Sequence, residues 1–231
     1  MTYTFLLLNL FLFLIPFCFS IDKKVFEVAH IKSAIVPALI VTVIFSETGV
    51  FLANLKVWAF NPAYLIGVNY RKLPLEMYVF YFTFSFACLS IYNYLNAKFT
   101  NNDLQKYSLA VSNLLLGICI AFLFFAYTKW YTALTFAILV LLLLYVEYRN
   151  QLRFMYKFYR AYLVCLVPFY VCYGILCNLP ILQYQATETI DTNLFNIPFE
   201  NHFYLMGMLL LGVYLMEFLK SRSAIAKNGL A

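Results

Sequence analysis

The chain has 231 residues, of which 65% are hydrophobic, 20% aromatic and only 11% charged. A soluble domain has a hydrophobic share nearer half and a charged share nearer a quarter, so this composition excludes an ordinary soluble enzyme and favours a polytopic membrane protein. The net charge of +6 could by itself indicate nucleic acid or anionic lipid. The basic residues, however, lie in short segments between apolar runs, as topology determinants do.

Seven apolar runs are long enough, at about 20 residues each, to cross the roughly 30 Å hydrocarbon core of a bilayer. The first contains Pro16 and has no basic residue before it, so we interpret it as a retained helix and not as a cleaved signal peptide. The basic aromatic segment 149–160 could be an RNA-binding patch, but its place between two spans favours an interfacial anchor. The predicted spans are residues 2–21, 33–55, 74–95, 107–127, 130–148, 161–179 and 198–219. The sequence therefore predicts an all-α integral membrane protein with about seven transmembrane helices.

An internal repeat organises the chain. Residues 58–76, WAFNPAYLIGVNYRKLPLE, follow the second span, and a weaker copy lies 124 residues later, with 73–76 matching 197–200. Each copy places Pro-x-Glu at the start of an apolar run, where proline needs no amide donor and a carboxylate meets the positive end of a helix. Because four spans separate the copies, the repeat is parallel. We predict one membrane domain, 1–231, with half-repeats at about 1–100 and 125–220.

The distribution of Lys and Arg predicts the orientation. Of the 16 basic residues, 12 lie after the first, third and fifth spans and in the C-terminal tail, and 4 lie on the other side. The positive-inside rule then predicts a cytoplasmic C-terminus and an outside N-terminus in the cell (inner) membrane. Both repeated loops are expected to open toward the outer face.

Acidic residues at membrane depth are the candidates for chemistry, because an ionisable group in mid-span costs about 2.5–3.5 kcal/mol. They are Glu47, Glu76, Glu188, Glu200 and Glu217. No Lys or Arg lies in mid-span to pair with them, so a buried one is expected to be partly protonated, and a neutral carboxylic acid can donate a proton. The alternative for Glu76 and Glu200 is an acid that only stabilises its helix dipole. The repeated spacing favours a shared function, whereas Glu217, beside Lys220, is interpreted as a helix-end acid.

Aromatic residues of the two loops could surround a carbocation by cation–π attraction, worth about 0.5–2 kcal/mol per ring. The candidates are Trp58, Phe60, Tyr64, Tyr184 and Tyr204. Aromatic residues also fill membrane-protein cores, and the spacing does not distinguish these two interpretations.

The remaining polar and sulfur-bearing residues give no cofactor signal. The six cysteines lie inside apolar runs without a C-x-x-C pair or paired histidines, so we predict buried hydrophobes and no metal site. His202 could couple to Glu200, although structural polarity is the favoured interpretation, and His30 is expected to be solvated in a basic turn. Nucleotide, flavin, haem and Asp-rich motifs do not occur, so no cofactor is predicted.

These motifs resemble the small membrane-integral lycopene cyclases, whose two homologous halves are separate subunits in some bacteria and fused in others. The first half is similar in W-x-F-N-P-x-Y-x-x-G at 58–67 and L-P-L-E at 73–76. The second half is similar in Pro180, Tyr184, Glu188, the segment 197–200, Tyr204 and Glu217. The resemblance covers nearly the whole chain.

The resemblance implies a cofactor-free, non-redox cyclisation of a linear carotenoid, about as long as the bilayer core is thick. An acid would protonate the terminal double bond, a neighbouring double bond would attack the tertiary cation, and loss of a proton would leave a β-ionone ring. It implies Glu76 and Glu200 as proton-handling residues, Glu47 and Glu188 in support, and Trp58, Phe60, Asn61, Tyr64, Tyr184 and Tyr204 as substrate contacts. The lipid bilayer is the surrounding partner, nucleic acid is not expected, and homo-oligomers or other carotenoid enzymes stay open as partners.

The chain departs from the family pattern at three places. Met77 and Asn201 stand where the family has a second acid after each Pro-x-Glu, and Glu47 stands about two positions out of register with a Trp-Asp pair. A carotenoid-binding or scaffold protein without turnover is therefore the alternative. A transporter is disfavoured, since no broken helix pair lies at the midplane.

Overall fold

The computed structural model describes residues 3–19, 28–101, 105–150 and 152–228, with the side chains of all but 28, 29 and 224–228. Within these residues the chain forms seven α-helices and three short two-stranded sheets. The helices are α1 (Thr4–Phe19), α2 (Val28–Asn54), α3 (Leu75–Lys98), α4 (Gln105–Phe125), α5 (Trp130–Leu144), α6 (Met155–Asn178) and α7 (Phe199–Asn228). A π-helical turn, Tyr145–Arg149, extends α5.

Six of the described helices, α2 to α7, are long and apolar enough to cross a membrane when α5 is taken together with its π-helical extension, as Trp130–Arg149. The all-α membrane fold predicted from composition is thereby confirmed. Helix α1 has 16 residues and spans about 24 Å at 1.5 Å per residue, less than the bilayer core; residues 2, 20 and 21 of the first predicted span lie outside the described residues.

Two predicted helix starts were placed too late. Helix α2 begins at Val28, so His30 lies within a helix and not in a basic turn. Helix α6 begins at Met155, so the second part of the segment 149–160 is helical. There Arg160 donates to the backbone oxygens of Leu95 and Phe99 at the end of α3, each at 3.2 Å. The first turns of both helices contain polar side chains, so hydrophobicity alone does not predict that the helices extend this far.

The helices form two triplets, α1–α3 and α5–α7, which α4 connects. Helix α1 packs on α3 as α5 packs on α7, and α2 contacts α7 as α6 contacts α3. Helices α3 and α7 are central: 78% and 67% of the residues in their most apolar stretches are buried, against 17% in α4. These two pairs of contacts agree with the parallel repeat inferred from the motifs, whereas α2 packs extensively on α3 and α6 contacts α7 much less.

The loops after α2 and α6 are joined to each other by an antiparallel strand pair. Strand β1 (Trp58–Phe60) pairs with β4 (Leu182–Tyr184). The amide of Asn61 donates to Ile181 O at 3.0 Å, and the amide of Gln185 donates to Val57 O at 2.9 Å. This reciprocal pattern satisfies backbone groups that would otherwise be unpaired next to the membrane, and it places both loops on one side of the helices.

A small hairpin follows in each loop and leads into a central helix. Strands β2 (Asn69–Tyr70) and β3 (Leu73–Pro74) precede α3, and β5 (Asn193–Leu194) and β6 (Ile197–Pro198) precede α7. The two turn residues have positive φ in both hairpins: 49° and 67° at Arg71 and Lys72, 54° and 63° at Phe195 and Asn196. Positive φ at both positions is the type I′ arrangement that suits the twist of a hairpin. Because the hairpins end at the prolines, Glu76 and Glu200 fall in the first helical turns.

Candidate active site

The carboxyl group of Glu76 is buried beneath its own loop. Its side chain is 2% exposed, and Oε1 accepts a hydrogen bond from the amide of Ile66 at 2.5 Å. Its other oxygen, Oε2, is buried with no hydrogen-bond partner among the described residues. The amide therefore fixes one oxygen of the acid and leaves the other for a different partner.

Glu200 is the equivalent acid of the second half and is held more tightly. It is fully buried, and its Oε1 accepts hydrogen bonds from the amide of Ile190 and from Thr132 Oγ1 of α5, each at 2.7 Å. Its Oε2 is also buried without a partner in the described part of the chain. The amide donor lies ten residues before the acid in both halves, so the loops hold the two carboxyls in the same way, and only the hydroxyl donor differs.

The second loop also forms hydrogen bonds with the first turn of α5. Glu188 Oε2 accepts from the amide of Trp130 at 3.1 Å, and Lys129 Nζ donates to the carbonyl of Thr189. An acid at this point satisfies a free amide at the helix start and meets the positive end of its dipole. Glu188 therefore fixes the turn that carries Thr132, the hydroxyl donor of Glu200.

Glu47 lies outside this arrangement. Its side chain is 58% exposed, and Oε1 forms an ion pair with Arg71 at 2.7 Å. The expectation of a buried acid without a basic partner is wrong for Glu47, because the hairpin folds back over the end of α2 and brings its turn arginine to the acid. Glu217 is not a helix-end acid, because α7 continues eleven residues beyond it to Asn228. It lies 3.6 Å from Lys220 and accepts from Tyr92 at 3.2 Å.

Three of the predicted aromatic residues converge between the two halves. The ring of Trp58 lies 6.3 Å from Tyr184 and 6.1 Å from Tyr204, centroid to centroid, in edge-on geometry. Tyr131 of α5 joins them at 5.8 Å from Trp58, and Tyr81 of α3 contacts Tyr204 through the hydroxyl groups at 3.2 Å. We call these five residues the central aromatic cluster. Spacing could not identify Tyr81 and Tyr131 among 20 tyrosines.

The other three predicted substrate contacts stay in the first loop. Asn61 caps a short 3₁₀ helix, its Oδ1 accepting from the amide of Ala63 at 3.1 Å, and Tyr64 ends that helix, half-buried. Phe60 and Trp58 line a small cavity of about 200 Å³ under the hairpin. Trp58 therefore belongs to the central aromatic cluster and also lines this cavity, whereas Asn61 and Tyr64 shape the loop.

Hydrogen bonds connect the cluster to both halves. Thr48 Oγ1 is 2.7 Å from the Tyr204 hydroxyl. Asn201, directly after Glu200, accepts from the Tyr131 hydroxyl and donates to the Tyr184 hydroxyl at 2.7 Å. Asn201 therefore holds two rings of the cluster in place. The equivalent residue of the first half, Met77, is fully buried and offers no such donor.

Two polar groups near this site, His202 and Tyr184, have structural roles. His202 contacts Phe199 O at 3.1 Å and the Tyr170 hydroxyl at 3.0 Å through its ring nitrogens, and neither contact reaches Glu200. Desolvation beneath the loops raises the pKa of the Tyr184 phenol well above its usual range. Tyr184 therefore stays a neutral hydroxyl at any physiological pH.

One buried acid was missed in the sequence. Glu147, in the π-helical turn after α5, is 8% exposed and accepts from Ser112 Oγ, which is itself 2.6 Å from the Tyr159 hydroxyl. It lies 17 residues, or about 26 Å along the helix, from the start of α5 at Trp130. The sequence shows Glu147 as the single acid of an apolar run. Because Tyr148 and Arg149 follow it, however, it resembles an acid at a helix end.

The fold and site together define a polytopic all-α membrane protein of two sister halves, with a buried acid from each half beneath paired loops and an aromatic cluster between them. A family model described as lycopene cyclase matches residues 1–95 and 128–219, and the chain belongs to the lycopene cyclase family. Comparisons with curated proteins and with solved structures gave no match. The family membership supports a function related to carotenoid cyclisation.

Proposed function

We propose that the protein cyclises a linear, lycopene-type carotene end group to a β-ionone-type ring, with Glu200 and Glu76 as the proton-handling residues. The observation that carries this proposal is the carboxyl of Glu200, whose Oε1 is fixed by two donors while its buried Oε2 has no partner. A carboxyl that is oriented through one oxygen can act through the other as the general acid that protonates a double bond.

The reaction balances without a cofactor. The acid proton adds to the terminal carbon–carbon double bond and leaves a tertiary cation and a carboxylate. The π electrons of a neighbouring double bond form the new ring bond, and a proton lost from the ring returns to the carboxylate. The rings of Trp58 and Tyr204, 6.1 Å apart, would stabilise the cation by about 0.5–2 kcal/mol each if their faces turn toward it. Exclusion of water beneath the paired loops would prevent its capture.

The other acids take supporting roles in this proposal. Glu188 positions Thr132 by capping α5, and Glu47 holds the first hairpin through Arg71. Phe60, Asn61 and Tyr64 act by shaping the first loop, and only Trp58, Tyr184 and Tyr204 of the predicted contacts belong to the central aromatic cluster.

An apolar groove of about 490 Å³ between α1 and α3 supports a hydrocarbon substrate. Leu10, Phe13 and Phe82 are among its lining residues, together with Asn9, which donates to the backbone oxygen of Glu76 at 3.0 Å. The groove thus runs beside the end of α3 that carries Glu76. A segment of a linear polyene would lie along it and present one end at a time to the loops.

The experiment is expression in lycopene-accumulating cells, with pigments separated by chromatography. The wild-type chain is expected to convert red lycopene to yellow-orange cyclic carotene, and Glu200→Gln to stop the conversion. Glu147→Gln is the matched control, because it changes a buried acid about 26 Å away along α5 and should leave conversion intact. Unchanged pigment with the wild-type chain present in the membrane would refute the proposal.

The second candidate is a carotenoid-binding protein without turnover. The observation that favours it is the replacement of the second acids by Met77 and Asn201, the latter already engaged with two tyrosines. This candidate predicts that unmodified lycopene co-purifies with the protein and that Glu200→Gln leaves the bound pigment unchanged.

The arrangement in the membrane is part of the proposal. We treat residues 1–231 as one membrane domain with half-repeats 1–100 and 125–220, oriented in the cell membrane with the C-terminus in the cytoplasm and both loops outside. A reporter that fluoresces only in the cytoplasm, fused to the C-terminus, should be bright. A dark fusion that is present at a normal level would reverse the orientation.

A further inference from the structure

A second polar cavity lies at the end of the helices opposite the paired loops. It has a volume of about 430 Å³ and lies between α2 of the first half and α7 of the second. Its lining residues are Lys32, Ser33, Val36, Met216, Leu219, Lys220 and Ser223. Lys32 is 22 residues from the end of α2 and Lys220 is 21 residues from the start of α7. At 1.5 Å per residue the cavity is about 32 Å from the loops, one bilayer thickness away.

One of its lysines is held in place by buried polar groups. Lys220 Nζ donates to Asn93 Oδ1 at 2.8 Å, and Asn93, 2% exposed, also donates to Ser33 Oγ at 3.1 Å and to His30 O at 2.8 Å. Asn93 of α3 therefore ties the α2 wall of the cavity to its α7 wall. These contacts fix the ammonium group of Lys220 at the cavity wall.

The charge of the cavity is positive. Glu217 lies 3.6 Å from Lys220 and shares its carboxylate with the Tyr92 hydroxyl. Lys32 is exposed and forms no ion pair with any residue that the structure describes. Ser33 and Ser223 direct their hydroxyl protons to backbone carbonyls at 2.9 Å, so the two ammonium groups are the charged donors that the cavity offers.

We propose that this cavity binds the phosphate headgroup of an anionic membrane phospholipid. The ammonium groups of Lys32 and Lys220 face the phosphate, and the apolar floor of Val36, Met216 and Leu219 contacts the upper part of an acyl chain. Basic pockets between transmembrane helices at the headgroup level are suited to such lipids. A free anion would gain nothing from the apolar floor, which argues for a lipid over inorganic phosphate.

The consequence is a second link between the two halves. At the loop end the halves are joined by the β1–β4 pair. At the opposite end, a lipid between α2 and α7 would add to the contacts of Lys220 with Asn93 and of Glu217 with Tyr92. The lipid would therefore stabilise the assembly of the two halves, whether or not the protein turns over a carotenoid.

The test uses the full chain purified in neutral detergent, with binding of phosphatidylglycerol and phosphatidylcholine measured by native mass spectrometry and by the shift in thermal unfolding. We expect phosphatidylglycerol to bind more tightly than phosphatidylcholine. We expect Lys32→Gln to weaken the binding of phosphatidylglycerol about fivefold, the effect of one lysine near an anionic lipid. Lys106→Gln is the matched control, since this lysine stacks on Tyr107 at 5.0 Å and does not line the cavity; it should bind as the wild type does.

Lys220→Gln also removes a contact to buried Asn93 and could unfold the helix end, so Lys32→Gln decides the test. Equal binding of the two lipids, or unchanged binding by Lys32→Gln, would overturn the proposal. Inorganic phosphate that competes as strongly as the lipid would overturn the lipid assignment and leave only an anion site.

Discussion

Removal of the Thr132 hydroxyl is the sharpest test of how Glu200 is held. In Thr132→Val the side chain keeps its size, but Glu200 Oε1 loses the donor at 2.7 Å and keeps only the amide of Ile190. A hydrogen bond to a neutral group contributes about 0.5–1.5 kcal/mol and one to a charged group about 1.5–3 kcal/mol. Because the amide of Ile190 still donates to Oε1, we expect a loss of about 1 kcal/mol in stability.

The matched control is Thr135→Val, one helical turn later on α5. Thr135 is 2% exposed, and its hydroxyl has no partner among the described residues. Replacing this buried, unpaired hydroxyl by a methyl group should leave stability unchanged or raise it. The two variants thus differ in one property, the bond to Glu200.

The assays are thermal unfolding in detergent and carotenoid conversion in lycopene-accumulating cells. If the same 1 kcal/mol is lost from the transition state, Thr132→Val slows conversion by about fivefold. Equal stability and equal conversion for the two variants would refute the argument that Thr132 orients the carboxyl.

Three further changes probe the rest of the site. Gly49→Ala puts a methyl group 2.7 Å from the Tyr81 hydroxyl, so overpacking should cost about 1–3 kcal/mol in thermal unfolding; an unchanged melting temperature would contradict the close packing of the cluster. Asn201→Leu leaves the hydroxyls of two cluster tyrosines without their partner and should destabilise by more than about 2 kcal/mol in thermal unfolding. Arg71→Gln breaks an ion pair whose side chains are 49% and 58% exposed, and we expect less than about 0.5 kcal/mol; a large loss of conversion with normal stability would give Glu47 a role beyond holding the hairpin.

The sequence by itself determined the class of protein, the approximate spans and the repeat. Hydrophobic length is a local property, and a bilayer accepts few structures other than helices of that length. The paired Pro-x-Glu segments also predicted two helix starts, because a proline and an acid at a helix start act within one turn. Their equivalence in the fold is seen in the two amide donors, each ten residues before its glutamate.

Only the tertiary structure decided which side chains meet. The choice of Tyr81 and Tyr131 for the central aromatic cluster depends on how α3 and α5 are rotated about their axes, and in helices that are apolar on all sides no stripe of hydrophobic residues predicts that rotation. The exposure of Glu47 follows from a hairpin that folds back on α2, and the cavity with Lys32 and Lys220 follows from contact between helices of different halves. These contacts join residues far apart in the chain, and their geometry is set by packing, on which the spacing of residue types carries no information.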